Sequence, residues 1–223
     1  MSQSSNKGFP HTMVGERTTP RSSVLAVLRD TSGGRRATQR ERYQRIIDAS
    51  MELASEGGYE AVQMRTIAER AEVALGTLYR YFPSKNHILV VGMLVVFDDM
   101  RHRFANVVIP GDTPSERILF VLRKNTAVLE RDPKRYEALV RAFMFADASA
   151  AAELDAFVHV VNAMFAKAIG VEDVSDEQLN AAHVVGDVWM SSLVSWVAGR
   201  QTTEDVIEHL DLAVRLVFRN LGG

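Results

Sequence analysis

The chain reads as an all-α protein of about nine helices, with a three-helix helix-turn-helix unit near the N-terminal end and a larger helical body after it. Three observations carry that reading. From residue 37 onward apolar residues recur at helical spacing, in segments that open on Ser, Thr or Pro and close on Gly or Pro. No segment alternates apolar and polar residues between hairpin turns. No block of sequence repeats at a fixed period. The 223 residues, 47% hydrophobic and 24% charged, suffice for one compact body or two packed domains and exclude a chain disordered throughout. The absence of cysteine excludes disulfides and thiolate chemistry and fits a reducing compartment.

Residues 1–36 are rich in Ser, Thr, Gly, Pro and Arg, the composition of a mobile basic arm. From Ala37 the period turns helical: Ile46, Ile47, Leu53 and Ala54 share a face of a first helix that stops at Gly57-Gly58. A short second helix spans 63–71, and a third, 74–82, is stopped by Pro83. Ser84 caps a long fourth helix to about Phe104, and IPGDTP (109–114) breaks the chain before a fifth at about 114–131. Pro133 opens a sixth to about Asp147. Gly170 closes a seventh, Ser175 caps an eighth, and Thr202 or Thr203 caps the ninth. The most apolar run, HILVVGMLVVF (87–97), is too short to span a bilayer, so the protein is expected to be cytoplasmic with no membrane partner. The domains expected are thus the arm 1–36, a helix-turn-helix domain 37–85, and a body 86–223.

At 100° per residue, helix 74–82 places Leu75, Leu78 and Phe82 on one stripe, with Gly76, Thr77, Arg80 and Tyr81 opposite and Tyr79 on the border. One stripe packs and the other is offered. A guanidinium suits a guanine edge or a phosphate, Thr and Tyr hydroxyls suit phosphate oxygens, and Gly76 removes bulk that would hold the helix off a groove floor. A solvated amphipathic helix would satisfy the same pattern, so spacing alone leaves both readings open. Residues 37–85 carry seven basic and seven acidic side chains, whereas residues 1–36 hold six basic and two acidic. Phosphate binding runs through basic groups, so a neutral reading head leans on Arg35, Arg36 and Arg40.

The run GGYEAVQMRTIAERAEVALGTLYRYFPSK (57–85) resembles the N-terminal domain of TetR-family transcriptional regulators, with its small-residue turn, TLY, aromatic pair and following lysine. The resemblance implies a homodimer that binds double-stranded operator DNA, each 74–82 helix entering a major groove, with an effector-binding C-terminal domain. It also implies that Arg65 and Thr66 at the start of the second helix reach the DNA. Leu75, Gly76 and Thr77 then occupy base-reading positions, Tyr79, Tyr81 and Lys85 phosphate-contacting ones. Base reading by Arg80 is inferred from its chemistry.

The body carries many soft and aromatic side chains at helical spacing, most of which read as core. Trp189 and Trp196, seven apart, share a face with the small Gly186 and Ser192 close by, leaving room for a large apolar ligand. RAFMFADASAAAELD (141–155) and DVWMSSLVSW (187–196) are similar to the steroid-responsive subgroup of TetR regulators in mycolic-acid bacteria. That likeness implies a hydrophobic effector, a steroid-derived acyl-CoA thioester, and a dimer interface on the last two helices. A long-chain fatty acyl-CoA is the alternative. Phe97, Met100, Phe104, Phe143, Met144, Trp189 and Trp196 are the candidate lining. Arg123, Lys124 and Arg141 are the candidate partners of the anionic coenzyme end.

An enzyme reading finds too little. Asp155/His159 and His183/Asp187 sit at i,i+4, but two ligands are too few for zinc, and no P-loop, dinucleotide-binding or nucleophile motif occurs. No catalyst, metal or cofactor is expected.

Overall fold

A computed structural model of the chain describes residues 34–170 and 174–219. Among these residues there are nine α-helices and no strand. They are α1 Arg35–Ala61, α2 Met64–Arg70, α3 Leu75–Tyr81, α4 Lys85–Ala105, α5 Pro114–Thr126, α6 Pro133–Met144, α7 Ala151–Ile169, α8 Asp176–Val197 and α9 Thr203–Val217, with a 3-10 turn at Ala148–Ala150. Residues 1–33 of the expected arm lie outside the described residues. Arg35 and Arg36 open α1, two residues before the expected start, although their side chains also lie outside the described residues.

Most helix starts follow from the caps. Ser84 Oγ accepts from the His87 N–H at the head of α4, Ser175 and Gln178 form a capping box at α8, and Thr202 rather than Thr203 caps α9, with Asp205 returning the bond. The ends differ more. α1 runs past the expected stop to Ala61, but Gly57 and Gly58 are non-helical and break it, Gly58 with φ 67°. α5 ends at Thr126 and residues 127–131 turn instead, because Pro133 needs a new start with Asp132 as its cap.

Helices α1, α2 and α3 form the small unit. α2 closes in a Schellman turn: the Val73 N–H donates to the Ala68 carbonyl (2.9 Å) and the Glu72 N–H to the Glu69 carbonyl (3.2 Å). Glu72 takes the left-handed conformation there, φ 53°, where glycine is usual. Ala71 is buried in the turn, and Leu78 and Phe82 are fully buried beneath α3.

The body is not hung from this unit by a linker. α1 packs along α6 and α4, α4 also packs on α6 and α7, α5 on α7 and α9, and α8 on α7 and α9. One contiguous core of buried residues runs from Tyr43 in α1 to Phe218 beyond α9. Met51 of α1 lies so close to α4 that a Cβ at Gly92 would run into its thioether.

Arg117 of α5 fastens α7 to the loop before α5. Its Nε donates to the Ala168 carbonyl (2.7 Å) and its Nη2 to the Ile169 carbonyl (2.6 Å), while Nη1 reaches the Gly111 carbonyl (3.0 Å). A cation here also meets the negative end of the α7 dipole. Replacing Arg117 with Met should lower stability by about 2 kcal/mol through the lost charge-assisted bonds, read as a lower urea midpoint with an unchanged m-value.

Candidate nucleic-acid interface and effector cavity

α3 offers one face and buries the other, as its spacing predicts. Gly76 and Arg80 are exposed and Tyr79 is 51% exposed, whereas Thr77 and Leu75 are half-buried, Leu75 against the core. A Cβ on Gly76 would meet nothing within 4 Å, so this end of α3 stands clear of the protein. Arg65 at the start of α2 is exposed and Thr66 half-buried. α2 and α3 pack against each other across the Schellman turn.

The other aromatic residues of the motif are tied inward. The Tyr81 ring packs on Tyr43 (4.9 Å between centroids), and Tyr43 meets Phe82 edge-on at 5.2 Å. Arg42 Nη1 donates to the Tyr81 hydroxyl at 3.3 Å, and the Arg80 guanidinium lies 5.2 Å from the Tyr81 ring centre. Partial burial pushes the Tyr81 phenol up, but the bonds from Arg42 and Arg80 outweigh it, leaving its pKa below the ordinary tyrosine value. Lys85 sits over the Tyr59 ring at 3.8 Å and donates to the Tyr59 carbonyl at 3.1 Å, so one of its three N–H groups is engaged within the fold. Arg40 is half-buried and interacts with its neighbours. Arg42 was not among the expected site residues: its partner is 39 positions away, a contact no local pattern carries.

The acidic residues of this unit are partly neutralised. Arg70 Nη1 lies 2.7 Å from Glu56 and 3.9 Å from Glu52, and Arg45 reaches Glu72 at 3.9 Å. The hydrogen bond from Arg70 holds the Glu56 carboxyl below the usual range.

In the body, a groove of about 450 Å³ opens between α7 and α8, lined by Phe143, Phe157, Phe165, Trp189 and Met190 with Asn162, His183 and Asp187 as polar members. Beyond Phe157, Trp189 and Met190, which line both, lies a smaller and more enclosed space of about 20 Å³ that Phe97, Met100, Asn125 and Tyr136 also line. The partition is an aromatic cluster: Phe97 to Phe157 is 4.8 Å, Phe143 to Phe157 5.5 Å, and Phe97 to Trp189 5.6 Å. Of the expected lining, Phe97, Met100, Phe143 and Trp189 are brought together here. Phe104 and Trp196 pack half-buried against the core and line neither space, and Met144, at the end of α6, is 45% exposed.

Among the described residues that line this groove, Arg123, Lys124 and Arg141 do not occur. Arg123 faces α9, because α5 packs on that helix, and lies 3.7 Å from Asp211. Arg141 is paired with Glu137 one turn earlier on α6 at 2.7 Å, and Lys124 lies 5.5 Å from the Phe120 ring centre. His183 and Asp187, weighed as a metal pair, line the groove instead. Among the described residues no group of three acidic or histidine side chains is placed to hold a metal ion.

Two family models match the chain. The model described as "Bacterial regulatory proteins, tetR family" matches residues 46–90, and "Tetracyclin repressor-like, C-terminal domain" matches residues 111–217. The chain is 46% identical over 194 residues to the HTH-type transcriptional repressor KstR of Mycolicibacterium smegmatis, covering 87% of this chain and 95% of that one. A TetR transcriptional regulator from Rhodococcus sp. RHA1 superposes with a TM-score of 0.75 at 31% identity, over 83% of this chain and all of that one. The fold is also shared, at 21% identity and a TM-score of 0.55, with the regulator FadR from Bacillus subtilis, solved in complex with stearoyl-CoA, over 78% of this chain and 97% of that one. The curated relatives that share most of the chain are transcriptional repressors rather than enzymes. The two matched segments include α3 and the groove-bearing body, and the chain belongs to the TetR family of bacterial transcriptional regulators.

Proposed function

We propose that this chain is a ligand-relieved repressor that binds a two-fold operator as a homodimer and is released by a steroid-derived acyl-CoA thioester. One observation carries the reading: a helix face exposed at Gly76, Tyr79 and Arg80 is joined by packing, through α1, to a body that holds an apolar groove. In this reading α3 enters the major groove. Gly76, Thr77 and the edge of Leu75 approach bases, with a thymine methyl suiting Leu75. Tyr79 and Arg65, helped by Thr66 and by the N–H groups of Lys85 that Tyr59 leaves over, hold phosphates. Arg42 and Tyr81 act as a pair, the guanidinium fixing the phenol. Arg35, Arg36 and Arg40 supply the positive charge that the balanced head lacks.

Dimerisation would use α8 and α9. Val184, Leu212 and Leu216 are each about half exposed there and form an apolar surface that a second copy can cover. Two α3 helices then address half-sites about 34–36 Å apart, one helical turn of DNA. No helix among the described residues is long and apolar enough to cross a membrane, which accords with action in the cytoplasm.

The effector reading is supported by the groove, by the likeness of 141–155 and 187–196 to the steroid-responsive subgroup, and by a shared fold whose Bacillus member is in complex with stearoyl-CoA. A long-chain fatty acyl-CoA is the second reading, because the apolar wall accepts any hydrocarbon. An operator mobility shift titrated with both classes of thioester is expected to show release by the steroid class at the lower concentration. Persistence of the complex with both, for a folded dimer, would remove the effector assignment. On the DNA side, Tyr79→Phe should weaken operator and unrelated DNA alike by about fivefold, one hydrogen bond's worth. Arg80→Ala should instead cut the ratio of specific to non-specific affinity by about tenfold or more, measured by fluorescence anisotropy.

A further inference from the structure

Among the described residues, three Asp, Glu or His side chains are buried: His87, Asp98 and Glu153. Asp98 pairs with Arg101 on its own helix at 3.0 Å, whereas His87 and Glu153 meet across two helices. The His87 Nε2 lies 3.2 Å from the Glu153 Oε2, yet neither ring nitrogen has an aligned hydrogen-bond partner. The attraction is therefore between charges rather than along a directed bond, and it depends on a proton. With one proton the pair is neutral overall, as imidazolium with carboxylate or as imidazole with carboxylic acid. Without it a negative charge is left in a buried place, which is costly. The pair also sits where the reading head meets the body. The His87 N–H donates to the Ser84 cap at 3.2 Å, and its ring lies 5.7 Å from Phe82, which follows α3. Glu153 is in the first turn of α7, and Phe157, one turn further along, lines the groove.

We propose that His87 and Glu153 are positioning residues that form a proton-dependent latch between α7 and the base of the reading head, holding α3 in the arrangement that binds the operator. This rests on reading α3 as the operator-reading helix. Histidine is the side chain whose charge ordinarily changes near neutral pH, so the pair is placed to respond there. Its charged and titratable surroundings come from four elements. The 3-10 turn brings Asp147, whose carboxyl the Ser149 hydroxyl and N–H, and then the nearby His87, hold below the usual range, so it stays ionised and favours a proton on the ring. α1 brings Tyr43 against Phe82 and the Tyr59 hydroxyl onto Asn86. α6 brings Arg141, already paired with Glu137 at 2.7 Å. On α4 itself Lys85 lies over the Tyr59 ring. The latched pair holds its proton more tightly than the two groups do apart. Latching, and operator binding with it, is therefore favoured at lower pH and lost as pH rises through the titration of the pair. A group that pushes Phe157 aside shifts α7 and pulls Glu153 from His87.

The test uses the full chain and a labelled duplex carrying the two-fold site that the wild-type protein selects from random sequence. Affinity is read by fluorescence anisotropy at constant ionic strength from about pH 6.5 to about pH 8.5, for the wild type, His87→Gln, Glu153→Gln and the double variant. Wild-type affinity should fall by about tenfold across that range, within the limit of tenfold per pH unit that one proton sets. Each single variant should keep its affinity within about threefold, and the double variant should match the single ones, because either change removes the same proton. The comparison across pH is made within one variant, so a general loss of stability cancels. The His87 ring, identified by its absence from the His87→Gln spectrum, should titrate about one pH unit higher in the wild type with the duplex than without it, which a contact of fixed charge would not produce. Wild-type affinity that is independent of pH, a pH dependence that either single variant retains, or a His87 titration that the duplex leaves unmoved would each overturn the proposal while leaving the operator reading standing. If the wild type selects no site at any pH, the operator reading falls and the proposal with it.

Discussion

Helix α1 has to serve two bodies at once, and the rest of the architecture follows from that. Toward the reading head it supplies Tyr43, against which Tyr81 and Phe82 pack, and Arg42, which holds the Tyr81 hydroxyl. Toward the body it lies along α6 and α4. Its C-terminal end is fastened to α6 by a polar knot: Ser55 Oγ donates to Asp132 (2.6 Å), Arg135 Nε donates to Ser55 Oγ (2.8 Å), and Lys134 donates to the Glu56 carbonyl (3.0 Å). Close-packed helices joined this way move as a unit. A shift of α6 reaches the base of α3 with little slack.

In the proposed reading, that constraint gives an effector in the groove its reach. Phe143, on the last turn of α6, forms part of the groove wall and touches Phe157 of α7. A second link bypasses α6: His87, in the first turn of α4, lies 3.2 Å from Glu153 of α7, both buried, and its ring lies 5.7 Å from Phe82. A third runs from Tyr59, whose hydroxyl donates to Asn86 (2.5 Å), on to the Phe145 carbonyl (3.1 Å). In the proposed reading, opening the partition between groove and cavity would displace helices that hold the head on two sides. A ligand can shift operator affinity only by its own preference between the two arrangements, so its contacts in an opened core have to offset the cost of opening it.

The all-α class and the order of nine helices were legible because caps and breakers are local: Ser84, Ser175 and Thr202 act on N–H groups within three residues. The exposed face of α3 was legible too, since a seven-residue helix with Leu78 and Phe82 buried leaves few choices for Gly76, Tyr79 and Arg80. What the sequence did not disclose is long-range. Arg42 on Tyr81, Arg117 on the end of α7, and the Ser55–Asp132–Arg135 knot join residues roughly 40 to 80 apart, and no period or spacing marks them. The body shows the same limit. Aromatic content predicted a cavity, but which side chains line it depends on which helix faces which, so Phe143 lines the groove and Phe97 the smaller space, whereas Met144 and Trp196 line neither. Asn125 carried no signal at all, since a lone amide in a helix reads as a surface residue.

The central claim is that effector binding in the body repositions the two reading helices through α1. The chain has no cysteine, so a single Ala74→Cys, at the exposed residue preceding α3, can carry a spin label at one site per protomer. Pulsed electron–electron distance measurement on the dimer reads the spacing of the heads directly. One narrow distance distribution is expected on operator DNA, with a resolved displacement of its maximum when a releasing thioester saturates the free dimer. Identical distributions with and without a thioester that demonstrably releases the operator would contradict it.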